Sequence, residues 1–359
     1  MESILHSHYT WLSTPILVVA PMMKITMAPL AVAGSRAGAF GFLAGGFDLT
    51  NLDADLAEAA SLLERAEIPT PEGVLPIGVG FQNWGSDLKL AAAAIQKHPP
   101  AAVWFFAPRH LSDLLSWAKE IRAVTGGRTK IWVQVGSVAQ ALEVVKTTKP
   151  DVLVVQGSDA GGHGLAHSAS VISLVPEVID ALADERLRIP VIAAGGISDG
   201  RGVAAALTLG ASGVALGTRF LACKEATIAK GYQDEILRVH DGGVSTVRSK
   251  LYDVLRGILD WPKSYDARGV TNRSYLDAKS GMSAEENKEL YEEEMQKGDK
   301  GWGAEGRLTT YAGTGIGLVK KVKSADEIVK EISADAMLAL EKTVGRYSAQ
   351  HVVFGNSPR

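Results

Sequence analysis

The stretch Gly157-Ser158-Asp159-Ala160-Gly161-Gly162-His163-Gly164 places three glycines within four positions around one histidine. Glycine carries no Cβ, takes positive φ and lets a flat or anionic ligand approach the backbone. An imidazole in that setting is expected to face a cavity rather than to pack against bulky neighbours. Neutral imidazole has an ordinary pKa of about 6.5, so it can accept a proton near neutral pH. The bland alternative is a tight turn whose histidine caps a backbone group. His167, four residues on, reads as a rim or structural histidine and an additional pocket candidate.

Two further glycine loops suit an anion. Gly195-Gly196-Ile197-Ser198-Asp199-Gly200-Arg201 and Gly217-Thr218-Arg219-Phe220 each follow an apolar run. Backbone N–H groups unobstructed by side chains, near a helix start, bind phosphate. Gly195, Gly196, Gly217 and the Thr218 hydroxyl fit that need; two ordinary glycine turns are the alternative. Ala20-Pro21-Met22-Met23, Gly80, Gln134 and Gln156 would add a soft, hydrogen-bonding pocket suited to a flat heteroaromatic ring. Asp, Glu and His show no metal-ligand spacing, so no metal is expected. A Ser-His-Asp triad lacks an elbow motif.

The elements that must position these residues are legible as alternation. Apolar runs at Ile16–Ala20, Ala39–Leu43, Leu75–Phe81, Ala102–Phe106, Lys130–Val135, Asp151–Gln156, Pro190–Ala194 and Gly213–Leu216 read as buried strands. Between them lie helical patterns: Asn51–Ala66, one capped by Ser112 or Asp113 to Val124, one from Ser137 to Lys146, and one from Ser198 or Asp199 through Leu209. Eight strands alternating with helices predict a (β/α)₈ TIM barrel, class α/β, whose active site lies at the strand C-terminal ends. A doubly wound sheet is the rival, but no Gly-x-Gly-x-x-Gly follows the first strand.

The barrel is expected over residues 1–225. Residues 226–310 turn polar, with scattered tryptophans and the charged run Glu285–Lys300, and predict a smaller, mainly helical lid or substrate domain. Residues 311–359 return to the barrel, with Ser324 capping the last helix. Trp302, Tyr311 and Gly313 flank this return and are candidates to close over substrate; packing of lid on barrel is the alternative. Lys24 reads as a solvated loop lysine, with reach into the pocket as the alternative. Cys223 reads as a small core residue in a helix.

The net charge of −3 over 359 residues argues against nucleic acid as a partner. The single cysteine excludes an internal disulfide framework. No apolar run approaches the ~20 residues of a membrane span, and Asn356-Ser357-Pro358-Arg359 is not a recognised peroxisomal ending. Cytoplasm is the expected location. Oligomeric state stays open.

Five segments together resemble the FMN-dependent nitronate monooxygenase family, formerly called 2-nitropropane dioxygenases. They are Pro15–Met23, Gln156–Gly164, Val191–Gly202, Gly213–Phe220 and Ala312–Val319. The resemblance implies a barrel with a helical domain over an FMN cofactor, and a flavoprotein oxidoreductase that uses molecular oxygen to oxidise a small substrate, an alkyl nitronate or nitroalkane, to a carbonyl compound and nitrite. It implies cofactor contacts from Ala20, Pro21, Met22, Met23, Gly80, Gln134, Gln156, Gly161 and Gly162. It puts phosphate contacts on Gly195, Gly196, Gly217 and Thr218, and catalysis on His163. Some bacterial members carry asparagine near Gly80 and lysine near Gln134; neither is present here. An NAD(P)H-dependent flavin reductase acting on quinones or an enoyl thioester, and a non-redox phosphate-ligand barrel, are the competing readings. The physiological substrate, the use of NAD(P)H and the lid's part in specificity stay open.

Overall fold

The structure, a computed structural model, describes residues 2–65 and 73–354. Ala66, at the end of one expected helix, and the closing residues 356–359 lie outside the described residues. Eight parallel strands close into a barrel in the order β1 (Leu17–Val19), β2 (Phe40–Gly46), β3 (Leu75–Gln82), β4 (Pro100–Phe106), β5 (Lys130–Val135), β6 (Val152–Gln156), β8 (Val191–Ala194) and β9 (Gly213–Leu216), with β9 pairing back to β1. This is the expected TIM barrel. All eight expected runs contain a strand, and β5 and β9 keep their expected ends. The second strand runs on to Gly46 because its glycine end pairs with β3 through an irregularity near Ala44.

Each strand is apolar on both faces because each face is buried differently. Val18, Phe40, Phe42, Trp104, Trp132 and Val154 fill the barrel interior. Their strand neighbours Leu17, Val19, Leu43, Val103, Val133 and Val155 pack against the surrounding helices. Tyr9, just after the helix Glu2–His8, plugs the interior from below, its hydroxyl accepting from Trp132 Nε1 at 2.8 Å.

Helix starts follow side-chain chemistry. Ser137 accepts from Gln140 N–H and Asp199 from Gly202 N–H, as capping residues should. Asp113 bonds His110 N–H instead, and Ser112 makes no cap bond. The helix Ala325–Phe354 packs on the helix Gly200–Thr208. Contact is close because Gly200 lacks a side chain: a Cβ there would lie 2.4 Å from Ala336 N.

Two expectations need correction. The glycine-histidine stretch is not only a loop, since Gly162–Leu165 forms a strand, β7. The segment 226–310 is mainly helical, as expected, and also carries strands. Its strands β10 (Thr246–Ser249) and β11 (Tyr265–Val270) form an antiparallel sheet with β7, in the order β10-β11-β7. Glycines at 161, 162 and 164 hide the alternation that would have announced β7, and its partner lies about a hundred residues away in sequence. Finally, Cys223 is buried but lies beyond the helix Thr218–Leu221, bridged to Lys323.

Candidate active site

Side-chain size opens the site. Above the aromatic layer of the barrel, the strand ends carry Gly80, Ala194 and Ala215 together with Gln134 and Gln156. A cavity of about 430 Å³ opens over them. Ala20, Pro21, Met22, Met23 and Lys24 border it after β1, with Gly161, Gly162 and His163 after β6. Gly195 and Gly196 follow after β8, then Gly217 and Thr218 after β9. Trp302, Tyr311 and Gly313 line the lid side. His167 does not line the cavity and is exposed, so it is withdrawn as a pocket residue. It lies past the end of β7, on the outer side of the strand's turn.

The glutamines are oriented by neighbours. Trp104 Nε1 donates to Gln134 Oε1 at 2.9 Å, which leaves the Gln134 amide N–H groups for the cavity. Gln156 Nε2 donates to the His163 carbonyl at 3.1 Å and so props β7. Gln82 Oε1 lines the same hollow, buried and without a hydrogen-bond partner among the described residues. A buried acceptor of this kind costs stability until something donates to it.

The glycines differ in their reasons. Gly195 (φ +112°) and Gly196 (φ +74°) need their positive φ whatever surrounds them. A Cβ at Gly161 would lie 2.4 Å from the Ala312 carbonyl carbon, so that glycine admits the returning chain. At Gly217 a Cβ would meet nothing closer than Met22 Sδ at 3.8 Å. A Cβ there would sit at ordinary contact distance, so the missing side chain is not forced by a clash. Thr218 Oγ1 accepts from Gly313 N–H at 2.9 Å, tying the return segment to the cradle and leaving the hydroxyl proton to donate elsewhere.

His163 lines the cavity, yet contrary to expectation it is packed against bulky neighbours. Its ring stacks on Trp261 with centroids 3.6 Å apart and planes 6° apart, and meets the Tyr311 ring edge-on at 5.5 Å. Its Nε2 lies 2.9 Å from Asp253 Oδ1, and the Tyr311 hydroxyl donates to the same oxygen at 3.1 Å. The Arg256 guanidinium sits 5.5 Å from the Tyr311 ring centroid and faces the cavity. Burial, then the charge of Asp253, pushes the Tyr311 hydroxyl well above the ordinary tyrosine pKa, so it remains a donor.

Sequence reasoning placed Gln82 at a strand end but missed Asp253, Arg256, Trp261 and the bond by which Trp104 holds Gln134. The tryptophans scattered through the polar segment were the one visible hint. Among the described residues, no group of three or more His, Cys, Asp or Glu is placed to hold a metal ion. No helix of the described residues is long and apolar enough to cross a membrane.

Comparison with known proteins agrees with this geometry. The family model described as "Nitronate monooxygenase" matches residues 119–335. The nitronate monooxygenase npaC of Metarhizium robertsii is 49% identical over 339 residues, covering 93% of this chain and 94% of that one. A nitronate monooxygenase of Neurospora crassa is 37% identical over 358 residues, covering 94% of this chain and 93% of that one. Among solved structures, FabK from Thermotoga maritima superposes with a TM-score of 0.72 at 24% identity, covering 96% of this chain and 98% of that one; it supports the fold alone. A matching family model over more than half the chain, and full-length relatives at these identities, lead to one conclusion: the chain belongs to the nitronate monooxygenase family of flavin-dependent oxidoreductases.

Proposed function

We propose that the chain binds FMN and uses molecular oxygen to oxidise alkyl nitronates to carbonyl compounds and nitrite. The observation that carries this reading is the charge of the cavity. The chain as a whole is acidic, at −3, yet the charged side chains lining the cavity are Lys24 and Arg256, and no carboxylate of the described residues lines it. Such a hollow favours an anionic substrate and an anionic cofactor group. The flavin, when bound, supplies the redox chemistry.

The residues present suit FMN. Positive-φ glycines 195 and 196, the side-chain-free Gly217 and the Thr218 hydroxyl offer a cradle for one phosphate. The Gln134 amide and the unpartnered Gln82 Oε1 offer a donor and an acceptor to a heteroaromatic edge. Met22 and Met23 offer polarizable surface to its face. His163 stands at the cavity wall, where it orients a nitronate anion or takes a proton from a nitroalkane carbon. Trp302 and Tyr311, on the lid side, exclude water. A cytosolic location completes the reading, since the single, buried Cys223 suits a reducing compartment.

Mass spectrometry of the released cofactor should give FMN, and the holoenzyme should form nitrite from ethyl nitronate while consuming oxygen. Release of FAD, or no nitrite from a fully loaded enzyme, would overturn the proposal.

A further inference from the structure

We propose that Asp253 fixes the tautomer of His163 so that Nδ1 takes the proton from the carbon of a neutral nitroalkane. This rests on the function proposed above and assigns a positioning role to a lid residue.

A carboxylate only accepts, so the Nε2 facing Asp253 at 2.9 Å carries the hydrogen. The neutral ring then presents the lone pair of Nδ1. Nδ1 makes no hydrogen bond among the described residues, and His163 lines the cavity. The ring has little freedom to exchange its two nitrogens, being stacked on Trp261 and met at an edge by Tyr311. Asp253 is itself held, because the Tyr311 hydroxyl donates to the same Oδ1. The Asp253 and His163 side chains are only 6% and 10% exposed, so their pairing is little screened by water. Arg256, over the Tyr311 ring, is the other charged group facing this cluster.

The step balances without an oxidant. The C–H bond beside the nitro group breaks and its proton passes to Nδ1. The electron pair enters the C=N bond of the nitronate. The ring becomes imidazolium, keeps its Nε2–H on Asp253, and is stabilised by that carboxylate, which stays unprotonated. The parts come from two places: His163 from the extension of the barrel, Asp253, Trp261 and Tyr311 from the chain after residue 225. The register His163↔Ala267 between β7 and β11 brings them together.

Nitroethane and ethyl nitronate differ by the one proton in question, so the pair is the test. In the Asp253→Asn holoenzyme the amide can donate to Nε2, which moves the ring hydrogen to Nδ1 and removes the base. Turnover of nitroethane should fall ~10²–10⁴-fold, the range of a positioned base, while oxidation of ethyl nitronate falls far less. Asp253→Glu should recover part of the nitroethane rate. Tyr311→Phe, which leaves the carboxylate in place, should show the same selectivity at smaller amplitude, and it decides the matter if Asp253→Asn fails to hold flavin. Equal losses on both substrates, or no loss on nitroethane, would overturn the proposal. A parent enzyme that oxidises ethyl nitronate but not nitroethane would overturn it too, and would leave the proposed function standing.

Discussion

One missing methyl group means different things at two glycines of the proposed phosphate cradle. Gly196 has φ +74° and a virtual Cβ 2.8 Å from Asp159 Cβ, so a side chain there strains the backbone before it meets any ligand. Gly217 has an ordinary negative φ, and a Cβ there would meet Met22 Sδ and the Ala20 Cβ only at ordinary contact distance. Gly217→Val is therefore the cleaner probe. Overfilling a packed site costs about 1–3 kcal/mol, so flavin affinity should fall ~10-fold or more with the fold intact by circular dichroism. Unaltered flavin occupancy would move the phosphate elsewhere. Cys223 offers a second prediction. Burial and the hydrogen bond to Glu225 push its thiol up to about 12, so at pH 8 it stays protonated and poorly nucleophilic. Native protein should resist iodoacetamide and react only on unfolding; rapid native alkylation would contradict this.

At the scale of the element, the helix Ala325–Phe354 starts with a reciprocal cap. Ser324 Oγ accepts from Glu327 N–H at 3.3 Å, and Glu327 Oε2 accepts from Ser324 N–H at 2.8 Å. Ser324→Ala should cost about 1 kcal/mol in urea unfolding. These bonds, from the Ser324 backbone first, then its hydroxyl and Lys224, hold the Glu327 carboxyl down at about 2. A depressed folded pKa adds stability that is whole above the ordinary glutamate range and lost as pH falls toward 2. The penalty of Glu327→Gln should therefore shrink across that window, and a penalty constant from pH 6 to pH 2.5 would contradict the cap. Such caps, and the eight barrel strands, were legible in the sequence because their signals are local. Ser137, Asp199 and Ser324 sit beside the backbone they bond. β7 was not legible, because glycines carry no pattern and its pairing comes from β11. Asp253 was not legible for the same reason: its meaning is a bond to His163, 90 residues away.

Over the whole molecule, work divides between barrel and lid. Strand ends line the floor of the cavity, where the proposed flavin cradle lies, while the segment after residue 225 supplies the groups packed on His163 and the wall of the cavity facing away from the barrel. Trp302 belongs to that wall, stacked on Tyr232 with centroids 6.0 Å apart. Trp302→Leu should leave flavin bound yet shift the kcat/KM ratio of hexyl to ethyl nitronate by ~10-fold, since each methylene seated in an apolar pocket is worth about 1–3 kcal/mol. An unchanged ratio would return Trp302 to packing alone. The central claim, that nitronates rather than reduced nicotinamides deliver electrons to the bound flavin, is tested by anaerobic titration of the holoenzyme followed by absorbance. Ethyl nitronate should bleach the flavin band, NADH and NADPH should not, and admitting oxygen should restore it. Bleaching by NADH or NADPH with no response to ethyl nitronate would contradict the account.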